Sequence, residues 1–164
     1  MKENILSIDE LVAKVKKLRE TSPVDLSTEE DLAVAVMNLI SLEEHLYFTG
    51  AKTDNEAYWV MLNEVREMRK TLLAKMIPMN EGETWCTSKH LLSATMRLIE
   101  VGTKLFSEGK KDEAKGMYDK AHQLFSTFWA LRLKLIEIPK NLIKEDKPMS
   151  LSDIMDKLVD CCKE

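Results

Sequence analysis

Glycine and proline are scarce in this chain, at five and four of 164 residues. Folds built from many short strands need a turn every few residues, and these two residue types supply most turns, so a multi-stranded fold lacks its punctuation. Long apolar runs are missing as well. The longest, Leu32 to Leu42, is interrupted by Asn38 and Ser41 and falls far short of the ~20 residues a membrane-spanning helix requires. No apolar stretch in the charged N-terminus reads as a secretion signal. Three cysteines, two of them adjacent, cannot all pair internally, which points to a reducing, cytoplasmic setting. An excess of basic charge is absent too. With 24 Lys and Arg against 28 Asp and Glu, a net charge of −4 and both signs interspersed, nothing offers an electrostatic footprint for nucleic acid. Glycine-rich phosphate loops, zinc-spaced cysteine sets and a Ser-His-Asp signature are not found, so no cofactor is expected.

The residues that are present favour helices. Hydrophobic residues make up 45% and charged residues 32% of the chain, with ten methionines, and the length suits one domain with its own core. Four sites match the helix-start pattern of Ser or Thr followed three residues on by an acid: Ser7/Glu10, Ser27/Glu30, Thr53/Glu56 and Ser150/Asp153. The hydroxyl accepts from an orphan amide of the first turn, and the acid reaches back while favouring the positive helix end.

Apolar spacing then predicts the elements. A first, flanking helix over 7–20 lays Ile8, Leu11, Val12, Val15 and Leu18 on one face. A long helix from Thr28 to Thr49, closed at Gly50, carries Leu32, Ala35, Val36, Leu39, Leu42 and Leu46 on one stripe, with Val34, Met37, Ile40, Tyr47 and Phe48 around the remainder, which suggests a central position. Within it Glu43, Glu44 and His45 read as a solvated edge. From Asp54 to Met76 the stripe Ala57, Met61, Val65, Met68, Leu72 and Met76 is expected to face inward, with Glu64, Arg66, Glu67, Arg69 and Lys70 outside. Two more helices, 85–107 and 111–138, meet at Gly109, Glu100 and Lys104 forming an outer i,i+4 pair. A tail helix over 150–163 completes the chain.

Around Gly109 the residues Gly102, Gly109, Ala114, Tyr118 and Ala121 share a pattern. Small residues let two antiparallel helices approach, and an aromatic fills the space above them. Over about residues 96–126 this resembles a single tetratricopeptide-type helical hairpin, with Leu98 where that family has Trp and Ser126 where it has Pro. The resemblance implies close helix packing and places Ile99, Thr103 and Phe106 on the inner face.

Two constellations carry candidate chemistry. Cys86 and His90 are four apart at a helix start, the pairing a thiol nucleophile needs, since the helix dipole and a nearby imidazolium lower a thiol pKa. Asp119 and His122 form Asp-x-x-His, a spacing that can ligate a metal from one helix face. Against these stand a packed cysteine beside Trp85 and a histidine at the core edge between Tyr118, Phe125 and Trp129. Cys161 and Cys162 close the tail helix with no assigned role.

The expected fold is all-α, an antiparallel helical bundle of four long helices with short flanking terminal helices. It forms one domain over 1–164, with its core in 27–138. The expected function is a non-enzymatic interaction or scaffold module with a protein partner or self-association, without nucleic acid or membrane. The alternative is a bundle enzyme or small-ligand or metal binder with its site near Cys86 and His90.

Overall fold

The structure, a computed structural model, describes residues 26–79 and 82–136, together with Val12, Ala13, Lys16, Lys17 and Ile138. The described chain is all-helical: α1 Leu26–Thr53, α2 Glu56–Leu73, α3 Glu83–Ser107 and α4 Lys111–Arg132. The expected flanking helices lie outside the described residues, apart from those first four positions, which are helical and exposed.

The helices pair as two hairpins, α1 with α2 and α3 with α4, and the hairpins meet where α1 packs on α3. Within each pair, later residues of one helix meet earlier residues of the other. Trp59 lies against Tyr47 and Gly50, and Arg69 against Glu43, so α1 and α2 run antiparallel, as two-residue connections require. The main core gathers at one end of this arrangement. It joins Ala33, Val36 and Met37 of α1, Leu73, Met76 and Ile77 at the end of α2, Trp85, Cys86 and Leu92 of α3, and Phe128 of α4. Phe125, Phe128 and Trp129 stack and cross one another beside it.

Several boundaries move. α1 runs through Gly50 to Thr53, and Gly50 does not cap it. A Cβ there would sit 3.1 Å from the Trp59 indole, so the glycine makes room for a ring. Ser27 lies inside α1 rather than at its cap. Thr53 donates back to the Thr49 carbonyl at 2.7 Å, and Asn55 caps α2 in its place, its Oδ1 accepting from the Ala57 amide at 3.0 Å. The α3–α4 turn is as the sequence suggests. Gly109 takes φ +80, the Lys110 amide reaches the Leu105 carbonyl and the Gly109 amide reaches that of Phe106, a Schellman closure. α4 stops at Arg132, short of the expected 138. There Lys134 adopts φ +53 and the same pair of bonds forms, Leu135 to Ala130 and Lys134 to Leu131.

The packing face of α2 is also different. Tyr58, Leu62 and Val65 are partly covered and Arg69 and Leu73 are buried, whereas Ala57, Met61 and Met68 of the expected inward stripe are exposed. Arg69, expected on the outer face, is 2% exposed and holds Glu43 through Nε at 2.7 Å and Nη2 at 3.3 Å. A long arginine lies along an apolar seam when a carboxylate is there to take its fork. Glu43 is therefore not part of a solvated edge, while Glu44 and His45 are exposed as expected, and Leu42 of the expected α1 stripe is exposed too. Glu44 pairs with Arg97 of α3, and Arg97 also takes Glu100 in place of the expected Glu100–Lys104 pair. Arg132 closes the seam between α4 and α1 with two bonds to Glu29, at 2.9 and 2.5 Å.

Candidate interaction surface

Cys86 and His90 lie one turn apart on α3, but in different settings. Cys86 is 3% exposed within the main core, its amide closing the first turn onto the Gly82 carbonyl at 3.2 Å, while His90 is exposed. Gly82, at φ +51, caps α3 without a side-chain bond. Asp119 and His122 are both exposed on α4, and Asp119 accepts from Lys115 at 2.6 Å. The Lys115 ammonium is held above its ordinary pKa by that hydrogen bond and by the carboxylate charge. Among the described residues no three His, Cys, Asp or Glu side chains gather as a metal group. Cys161 and Cys162 lie outside the described residues. No helix among the described residues is long and apolar enough to cross a membrane.

What the fold does gather is apolar surface. At the α1–α2 tip Tyr47 and Phe48 meet edge to face at 5.3 Å, and Tyr47 meets Trp59 at 6.0 Å. Phe48 is 61%, Tyr47 52% and Trp59 38% exposed. Aromatic side chains carry on the order of 200 Å² each, so these three leave about 300 Å² of ring surface open. Along the outer face of α2, Val60, Met61 and Met68 are each about half exposed, with Glu64 and Glu67 beside them. The α3–α4 tip is apolar too. The Tyr118 ring covers Gly102, where a Cβ would come within 2.6 Å of it, and Phe106 lies under the Lys111 ammonium at 5.9 Å.

The residues that line these surfaces were only partly visible beforehand. Tyr47 and Phe48 stood out as apolar residues beyond one stripe of a helix, and that surplus is the pattern that marks them. The spacing of Met61 and Met68 predicts the interior, whereas both are exposed. No family model, curated protein or solved structure matches this chain.

Proposed function

We propose that this protein is a non-enzymatic helical interaction module, and that it engages a protein partner through the aromatic tip of the α1–α2 hairpin. The observation that carries this reading is the Tyr47, Phe48 and Trp59 cluster, held in ring contact yet open to solvent. Rigid aromatics lose little entropy on binding and dominate the centres of protein interfaces. The α3–α4 hairpin, with its tetratricopeptide-like Gly102 and Tyr118, serves in this reading as a close-packed support. A catalytic role for Cys86 draws no support from a thiol 3% exposed beside an outward His90. Burial predicts slow alkylation of Cys86 at pH about 7, and rapid labelling of the folded chain would favour the enzyme reading instead.

A photo-crosslinking residue at Phe48, introduced in the native cell, tests the module. Protein adducts are expected at Phe48, with none at exposed Gln123 on α4, and they should vanish when Tyr47 and Trp59 become Ser. Equal labelling at both positions would refute the reading. Sedimentation across concentration then separates a second copy from a different chain.

A further inference from the structure

The stripe on α2 presents a separate problem. Ala57, Met61, Val65, Met68 and Leu72 recur at spacings of three and four, the pattern of a helix face that is covered. Val65 and Leu72, on the side nearer the core, are partly covered, but the described residues leave Met61 48% and Met68 55% exposed, with Val60 beside them at 55%. α2 turns Tyr58, Leu62, Arg69 and Leu73 toward the rest of the fold instead.

We infer that the outer face of α2 is the docking site of this chain's own residues 8–19. Pattern, charge and reach each favour that occupant. Ile8, Leu11, Val15 and Leu18 repeat at three, four and three, a stripe that pairs with another such stripe. Val12, Ala13, Lys16 and Lys17 are helical and exposed; on a helical register Ala13, Lys16 and Lys17 lie away from those four residues, and Val12 sits at the edge of the stripe beside Ile8. Four basic residues against two acids give the segment a net charge of +2, opposite the exposed Glu64 and Glu67 that flank Met61 and Met68. The other amphipathic segment, 150–163, has three acids against two lysines and meets those glutamates less favourably.

The lengths agree as well. Twelve residues wound as a helix extend about 18 Å, the length available to 8–19, and Met61 to Leu72 spans about 16 Å of α2. α1 starts at the same end of the hairpin at which α2 finishes, because the two run antiparallel. Six linking residues, 20–25, stretch to about 20 Å, about twice the 8–10 Å that separates packed helices. The segment then runs antiparallel to α1 and parallel to α2. It turns the first hairpin into a three-helix unit whose aromatic tip stays open.

Hydrogen exchange on the full-length chain at low micromolar concentration tests this. Amides of 8–19 are expected to exchange at least tenfold more slowly than in an unstructured peptide. That protection should be lost in a Met61→Glu, Met68→Glu chain while α3 and α4 keep theirs, which certifies the fold. If that variant loses protection everywhere, Glu64→Lys with Glu67→Lys replaces it, and a several-fold loss confined to 8–19 is expected. Unprotected 8–19 in the parent chain, or protection unchanged in the folded variants, would overturn the inference. Protection that grows with concentration alongside a doubled mass would assign the face to a second copy's segment and also overturn it. Crosslinking at Phe48 reads a different surface, so either proposal can fail without the other.

Discussion

The Arg69–Glu43 pair is the place where removing a charge should cost most. Arg69 is 2% exposed and Glu43 17%, with two hydrogen bonds between them. A Glu43→Ala substitution takes from the buried guanidinium the carboxylate that accepts these two hydrogen bonds. Losing one partner of a buried ion pair costs about 3–5 kcal/mol, and the partial exposure of Glu43 sets the expectation at the low end, about 3 kcal/mol. Removing both charges is a different experiment. A Glu43→Leu, Arg69→Met double variant keeps the volume, removes the cost of desolvating two ions, and should fall within about 1 kcal/mol of the parent. The assay is urea unfolding followed by circular dichroism for the parent, Glu43→Leu, Arg69→Met and their double variant, read as a double-mutant cycle, with Glu43→Ala measured beside them. The expected coupling is roughly 2–3 kcal/mol, the upper part of the range for contacting residues. If Glu43→Ala loses less than about 1 kcal/mol, the size of an exposed pair, Arg69 is not held at this seam and the α1–α2 packing described above is wrong.

Three further outcomes follow from single sites. Gly102→Ala gains about 1 kcal/mol of helix propensity but places a Cβ 2.6 Å from the Tyr118 ring, so a net loss of about 1 kcal/mol is expected from overpacking. In a Tyr118→Ala background the same change should become stabilising, and thermal melts that show no reversal of sign would refute the contact. The Ser88 hydroxyl is buried without a hydrogen-bond partner among the described residues, so Ser88→Ala should be neutral or raise stability by about 1 kcal/mol; a clear loss of melting temperature would show that the hydroxyl is bonded. At the hairpin turn, the hydrogen bond from Lys110 and then its charge hold the Glu108 carboxyl below its usual value of 4.5. A depressed carboxylate stabilises the fold above its unfolded pKa and loses that contribution as pH falls through the folded value. In an NMR titration Glu108 should therefore titrate below an ordinary glutamate, and Lys110→Ala should restore the ordinary value.

The sequence spoke clearly wherever one residue type has one use. Gly109 marks the only backbone form that closes α3 in that way, and the spacing of Ala114, Ala121 and Phe128 can face only one direction. Lys134 closes α4 with the same geometry, but nothing in a lysine announces a left-handed residue, so the apolar spacing predicts a helix that runs on to 138. Gly50 shows the reverse error. A glycine after an apolar run reads as a stop, and only the position of the Trp59 ring, set by tertiary packing, explains why the helix continues past it. The charge of Arg69 predicts the outer face, but arginine is amphipathic. Its stem packs like a hydrophobe, and the carboxylate that permits this is 26 positions away. The Cys86–His90 and Asp119–His122 constellations are legible as spacings, but whether Cys86 and His90 share a surface depends on which side of α3 faces the core.

The division into two hairpins bears on how the chain reaches this fold. Contacts within each hairpin join residues close in sequence, and such contacts form fast because little chain entropy is lost in closing short loops. The contacts between hairpins are distant, above all Glu29 with Arg132 and Glu44 with Arg97, separated by 103 and 53 positions. Each hairpin can therefore assemble first and the two dock late. Substitutions at the Glu29–Arg132 seam then change the rate of unfolding far more than the rate of folding, so this contact between α1 and α4 lengthens the lifetime of the assembled fold.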